Sequence, residues 1–321
     1  MLKDKLVVIC IIGAFVLMCF IMTMVINSKG HITKDFSPDM LNPIGKGIES
    51  SDSDQLIVSS SLVDVKYIHS GNVETSLSNV LNLKHPACLG INNEEVQVPI
   101  FAYLLHHEKY GYFLIDSGCE ASYVDNGFGP MKGWLLPFVM PKTKLKLTDA
   151  IENQLSEDIL KNIKAVFFTH LHFEHTSGLP ALPDNLIYIA GKGERSYSIK
   201  GLLEVKHFKR NAIIYTLDFN KEISKEFPLG KAIDIFGDQS VWAIATPGHS
   251  KGHTSYLINR GDKPVLIAGD ACILNKSLEL GVGSGTSSAD IEKAQKTLDK
   301  IGAFIKNNPN VEIWCGHDFP K

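Results

Sequence analysis

His170, His172 and His175 fall inside one seven-residue stretch, Thr169-His170-Leu171-His172-Phe173-Glu174-His175. Imidazole is the commonest protein ligand for zinc, and carboxylate oxygen completes such sites. Three imidazoles and a carboxylate this close together are hard to explain as packing, and they point to metal chemistry. The stretch directly follows an apolar run, Ala165-Val166-Phe167-Phe168, which reads as a buried strand. The ligands would therefore leave the end of a rigid strand on a loop able to bend round an ion.

The same pattern recurs along the chain. Val241–Ala245 is followed by Thr246-Pro247-Gly248-His249, Val265–Ala268 by Gly269-Asp270, and Val311–Trp314 by Cys315-Gly316-His317-Asp318. Each apolar run ends in a small residue and then a potential ligand, and glycine lets the backbone turn tightly and approach closely. A lone histidine after one strand is ordinarily a hydrogen-bonded structural residue. Four such ends predict a common point where a sheet edge presents metal ligands.

In this order, H-x-H-x-[DE]-H, T-P-G-H, G-D and G-H, the motifs resemble those of the metallo-β-lactamase superfamily. Upstream, Leu114-Ile115-Asp116-Ser117-Gly118 resembles that superfamily's first motif, an Asp followed by Thr or Ser and Gly. The resemblance runs from about Val98 to the C-terminus. It implies an α/β fold, an αββα sandwich of two mixed β-sheets flanked by helices, with metals at the edge between the sheets. By position it implies one metal on His170, His172 and His249, a second on Glu174, His175 and His317, and Asp270 bridging the two. The implied cofactors are two divalent ions, zinc first among them. Asp116 would orient a ligand imidazole. His253 matches a position often His in the family and is not counted as a ligand. The family usually has Asp where this chain has Glu174, whose extra methylene carries the oxygen further from the backbone.

This ligand set predicts hydrolysis of a lactone or ester bond by attack of a metal-bound hydroxide, with Asp270 and Glu174 as the catalytic candidates. Phe101–Gly118, Thr169–Leu179 and Ala268–Cys272 resemble the N-acyl homoserine lactonase group. Those lactonases carry a Tyr three residues after the bridging Asp, and this chain has Ile273 there. Thioester hydrolysis of the glyoxalase II type, β-lactam hydrolysis and phosphodiester hydrolysis stay open. So does a non-enzymatic reading, a membrane-tethered binding protein that keeps a metal structurally. Structural zinc sites are typically closed and cysteine-rich, whereas this set is His and carboxylate.

The positioning elements come next. The chain has 321 residues, 44% of them hydrophobic, and a net charge of −3, which gives a sizeable core and no electrostatic footprint for nucleic acid. Lys3 and Lys5 precede an uncharged run, Leu6–Ile26, which is 21 residues long. As a helix it would span about 31 Å. Residues 1–27 therefore read as a membrane anchor, or as a signal segment, with the catalytic part extracytoplasmic. Residues 28–54 read as a linker, wrapped on the domain or free, and residues 55–321 as the hydrolase domain, acting on a small molecule.

Within the domain, Leu56–Val58, Val63–Ile68, Val98–Leu105 and Tyr112–Ile115 read as strands, the last two joined by a turn holding His106 and His107. Leu147–Ile163 and Ser288–Ile305 read as helices with apolar stripes. The apolar Gly127–Pro141 segment reads as core, or as a lid, substrate wall or subunit contact. Cys88, Cys119, Cys272 and Cys315 read as small buried residues that fill space near the motifs.

Overall fold

A computed structural model describes residues 31–41, 63–126, 128–134, 136, 145–196, 205–209, 211–221, 223–260 and 263–321. Two sheets are formed among them. The first contains β1 (Ile32–Asp35), β2 (Val63–Ser76), β3 (Glu95–His107), β4 (Gly111–Ile115), β5 (Leu145–Leu147), β6 (Ile163–Phe167), β7 (Ile187–Gly191) and β8 (Ile213–Leu217). Their order is β1-β8-β7-β6-β4-β3-β2-β5. The second contains β9 (Lys225–Phe227), β10 (Gly230–Asp234), β11 (Val241–Ala245), β12 (Thr254–Ile258), β13 (Val265–Gly269) and β14 (Glu312–Cys315), in the order β14-β13-β12-β11-β10-β9. Both sheets are mixed. β4, β6, β7, β8 and β1 run parallel in the first, and β13 pairs parallel with β14 in the second.

Side-chain alternation along each strand builds the layers. Phe113 and Ile115 of β4, Ala165 and Phe167 of β6, Ala243 of β11, and Val265 and Ile267 of β13 face one shared core between the sheets. The intervening Leu114 and Val166 face outward beneath Ile151 and Leu155. Trp242, Ile244 and Leu266 face the other way, beneath Leu298, Ile301 and Phe304 of the helix Ile291–Asn307. Strands covered on both faces read as continuous apolar runs, which is why they stand out in the sequence. The result is the expected αββα sandwich. Phe167 is fully buried between the sheets, three residues before His170. Phe167→Ala is expected to cost about 3–5 kcal/mol, read as a lower denaturant midpoint. A change under about 1 kcal/mol would show that the sheet interface is not the main core.

Several expectations are corrected. Among the described residues no helix is long and apolar enough to cross a membrane. The helix Ile291–Asn307 has 17 residues and puts Glu292, Lys293, Lys296, Asp299, Lys300 and Lys306 on its exposed side. The described structure therefore gives no support to the expected transmembrane helix or to the membrane as a partner. The run 6–26 and the strand expected at Leu56–Val58 lie outside the described residues. Within the stretch read as linker, Ile32–Asp35 pairs in parallel with β8 as an edge strand. The single helix expected over Leu147–Ile163 is instead the end of β5 and two short helices, Ile151–Gln154 and Glu157–Asn162. Ser156 breaks it, because its hydroxyl accepts from the Ile159 amide and caps the second helix. His107 is not in the turn. It is fully buried at the end of β3, with Nε2 2.9 Å from Asp238 Oδ2.

Candidate active site

Ligand-bearing ends from both sheets meet at one point. The loop after β6 brings His170, His172, Glu174 and His175, and the loop after β4 brings Asp116; both belong to the first sheet. The second sheet brings His249 after β11, Asp270 after β13 and His317 after β14. The ligands thus converge across the seam between the two sheets.

Asp270 sits at the centre, almost fully buried. Its Oδ2 faces His249 Nε2 at 3.3 Å and His170 Nε2 at 4.0 Å. Its Oδ1 faces His317 Nε2 at 3.3 Å and His175 Nε2 at 3.5 Å. His172 Nδ1 lies 3.0 Å from His249 Nε2. Glu174 Oε1 lies 4.0 Å from His175 Nε2 and 4.0 Å from His172 Nδ1. Two sets of potential ligand atoms are each compact within 4.8 Å: His170, His172 and His249, and His170, Glu174, His175 and Asp270. His317 reaches the second through Asp270.

These residues fit divalent ions. His170 Nε2, His175 Nε2, Glu174 Oε2 and Asp270 Oδ1 are buried without a hydrogen-bond partner. Buried polar atoms are otherwise nearly always paired. Four ligands about 2.1 Å from a tetrahedral ion lie about 3.4 Å apart, close to the spacings round Asp270. Burial, aided by neighbouring imidazoles, holds His170 well below the usual histidine range, so it stays neutral as a ligand must. Burial also lowers His249 well below that range. Burial works against charge on Asp270, but His317, His249 and His175 outweigh it and hold the carboxyl well below its usual range.

The supports are equally specific. Asp116 has φ of 55°, a left-handed conformation uncommon outside glycine. It is held there by its own bonds. Asp116 Oδ1 accepts from the Thr169 amide at 2.8 Å, and Oδ2 accepts from Thr169 Oγ1 at 2.9 Å. Oδ2 also lies 2.8 Å from His175 Nδ1, which turns His175 Nε2 toward Asp270. Burial opposes a proton on His175, yet the Asp116 carboxylate prevails and pushes the imidazole up to about 10, so an ion bound at Nε2 would have to displace that proton. His317 Nδ1 donates to the Pro99 carbonyl of β3 at 2.7 Å, a bond from one sheet's ligand to the other sheet.

The helix Ile291–Asn307 fixes the His249 loop. Ala289 and Asp290 amides donate to the His249 and Gly248 carbonyls at 2.8 and 3.0 Å, and Thr297 Oγ1 donates to the Pro247 carbonyl at 2.6 Å. Gly248 has φ of 143°, and a Cβ there would lie 2.3 Å from the Ala294 nitrogen, so the loop needs glycine.

A family model for the metallo-beta-lactamase superfamily matches residues 96–317. The chain belongs to the metallo-β-lactamase superfamily. Among curated relatives, an N-acyl homoserine lactonase of a Bacillus species is 26% identical over 234 residues, covering 70% of this chain and 83% of the relative. A gamma-lactamase of Fusarium pseudograminearum is 28% identical over 120 residues, covering 35% of this chain and only 29% of that protein. The crystal structure of a variant of AiiA from B. thuringiensis, with N-decanoyl-L-homoserine bound at its active site, superposes with a TM-score of 0.58 at 20% identity. That superposition covers 81% of this chain and 94% of the other. The chain is accordingly a lactonase-like metal-dependent hydrolase of this superfamily, with divalent-metal binding as its chemistry.

All seven residues named as ligands from the sequence come together, with Asp116 behind them. His253 stays out of both sets. Its Nδ1 lies 2.8 Å from Thr246 Oγ1, and burial pushes the ring down to about 3. The Ile273 side chain is buried among Leu77, Val80, Leu81 and Val282, while its carbonyl accepts from the His317 amide at 2.9 Å. Of the apolar Gly127–Pro141 segment, Met131 and Leu136 pack with Ile100, Cys119 and Tyr123 beside the partly buried Phe173, while Trp134 is exposed. The four described cysteines are free and buried, and Cys272 Sγ touches Cys315 Sγ at 3.3 Å.

Sequence reasoning missed the site's buttresses. Thr176 Oγ1 donates to the His172 carbonyl and lies 2.8 Å from His207 Nδ1, whose Nε2 is 2.6 Å from Tyr123 Oη. Burial pushes His207 down to about 3, so the chain of bonds is neutral and runs from Tyr123 to His207 to Thr176. No local spacing announces it, because its members lie 31 and 84 residues apart.

Proposed function

We propose that the protein hydrolyses a lactone or ester bond with two divalent ions, zinc in the first instance, and that N-acyl homoserine lactones are the substrate class to test first. One observation carries the reading. The two oxygens of buried Asp270 face two different imidazole sets, the arrangement a bridging carboxylate needs. His170, His172 and His249 would hold one ion, and Glu174, His175 and His317 the other. Bound ions supply Lewis acidity, polarising a carbonyl and acidifying water near neutral pH.

The chain's own residues do the rest. Asp116 fixes the ring of His175 through Nδ1, and Pro99 fixes that of His317. Asp270, held ionised by three imidazoles, can take a proton and pass it to a leaving alkoxide. Phe173 and the buried cluster around Tyr123 give the site an apolar flank suited to an acyl chain. The relatives named lactonases support this substrate class. Ile273 supplies no phenol to the carbonyl oxygen, so any hydrogen-bond assistance there must come from elsewhere.

The test is a panel of acyl homoserine lactone, aryl ester, thioester, phosphodiester and β-lactam, run on the full chain with zinc. The lactone or ester should show the highest kcat/KM. Preference for the thioester or phosphodiester would overturn the substrate assignment, and no hydrolysis of any of them would overturn the enzyme reading.

Glu174 gives a finer prediction. Its carboxylate is largely buried and carries an unpartnered oxygen, which supports reading it as a ligand rather than a solvated loop residue. Glu174→Asp is expected to keep two ions. Glu174→Ala should lose mainly the second and retain part of the activity through the His170, His172 and His249 set. Metal content and rate are measured for both, and a Glu174→Ala protein with two ions and the full rate would remove Glu174 from the site.

A further inference from the structure

The loop after β7 carries a carboxylate with no part in either ligand set. Glu194 Oε2 accepts from the Leu171 amide at 3.1 Å. Glu194 Oε1 accepts from Ser250 Oγ at 2.5 Å and from the Gly252 amide at 2.7 Å. Leu171 lies between His170 and His172. Ser250 and Gly252 follow His249. One side chain therefore ties together the two loops that present the first ligand set, which come from different sheets.

The surrounding backbone is built for this contact. A Cβ on Gly191 would lie 1.8 Å from the Gly252 carbonyl oxygen, and one on Gly252 would lie 2.7 Å from the Gly191 carbonyl oxygen. The β7 loop and the His249 loop thus touch backbone to backbone, and only glycine at both positions permits it. The Thr254 amide adds a bond to the Thr169 carbonyl at 2.9 Å, just behind the same point. Glu194 closes the gap in front.

The second set has separate anchors. His175 is held by Asp116, its carbonyl accepts from the Ser117 amide and hydroxyl, and His317 is held by Pro99. None of these bonds involves Glu194.

We infer that Glu194 is a positioning residue that sets the spacing of His170, His172 and His249, and so selectively governs how tightly the first ion is held. The inference rests on the two-ion reading above. It takes the form of a clamp with two jaws: one carboxylate oxygen grips each loop. Carboxylate is needed because all three groups it meets are donors. An amide can offer only its single oxygen, and its NH2 would face a donor on one side, so Glu194→Gln keeps the shape and releases one jaw.

The experiment follows zinc alone, by chelator competition on the full chain, in two backgrounds. His317→Ala keeps the first ligand set intact, and His249→Ala keeps the second. Adding Glu194→Gln to His317→Ala should weaken zinc binding by about 10–100-fold, the usual effect of losing a residue that orients metal ligands. Adding it to His249→Ala should change binding far less, since none of the bonds that anchor His175 and His317 involves Glu194. Equal weakening in both backgrounds would mean general loosening and would overturn the selective clamp. No weakening in either would overturn it too. A wild-type chain that takes up no zinc would overturn the two-ion reading and the clamp together, whereas a wild type with two ions and an unaffected Glu194→Gln overturns the clamp alone.

Discussion

Asp270→Ala is expected to lower hydrolysis by at least about a thousandfold, within the range lost when a positioned proton-transfer group is removed. The metal content of the same variant should fall below that of any single-histidine variant. The reason is its place. Among the described residues, Asp270 is the one carboxylate whose two oxygens lie within 4.0 Å of four imidazole nitrogens, His249 and His170 on one side, His317 and His175 on the other. Removing it strips both ligand sets of the anion they share and leaves buried imidazoles facing each other. Asp270→Asn separates two contributions, since it keeps the shape and one accepting oxygen but neither the charge nor the ability to carry a proton. It should retain more metal than Asp270→Ala at a similarly low rate. An Asp270→Ala protein with both ions and more than about a tenth of the wild-type rate would end the bridging assignment.

Metal removal should have the second large effect, on stability. Ligands that bind the folded chain stabilise it by mass action, about 4 kcal/mol for a site at a thousand times its Kd. For a domain of this size that corresponds to a rise of roughly 10 °C in unfolding temperature. A chelator-treated protein should therefore unfold on the order of 10 °C lower than the zinc-loaded protein, and zinc should restore it. Magnesium should restore less, because an imidazole-rich set favours zinc over a hard oxygen-seeking cation. Identical melting curves with and without chelator would show that the buried unpartnered atoms of His170, His175 and Asp270 are not filled by ions.

Much of this site is legible in the chain because its ligands are clustered after strands buried on both faces. Such strands are continuous apolar runs, and each ends at a residue that must leave the core. What the sequence leaves hidden is pairing at long range. Nothing near His107 announces Asp238, 131 positions away, so a buried histidine hydrogen-bonded to a carboxylate reads as part of a polar hairpin turn. Helical periodicity across Leu147–Ile163 is real, yet Leu145–Leu147 finds a partner in β2 and Ser156 finds an amide to cap, and both contacts outweigh the period. Glu194 is a different case. Ile187–Ala190 followed by Gly191-Lys192-Gly193-Glu194 has the same form as the other four strand ends, an apolar run, a small residue and a carboxylate. It was readable as a member of the group, though as a brace and not a ligand.

The seam between the sheets has one more implication. Each sheet is internally rigid through its own hydrogen bonds, but the two are joined mainly by apolar packing, which constrains sliding less sharply. With His170, His172 and His175 on one side and His249, Asp270 and His317 on the other, any displacement of one sheet against the other would change the distances between the ligands. Reacting groups misplaced by about 1 Å can cost a hundredfold in rate. The tolerance of the reaction is therefore written into residues far from it, in the jigsaw of Phe113, Phe167, Tyr256 and Ile267.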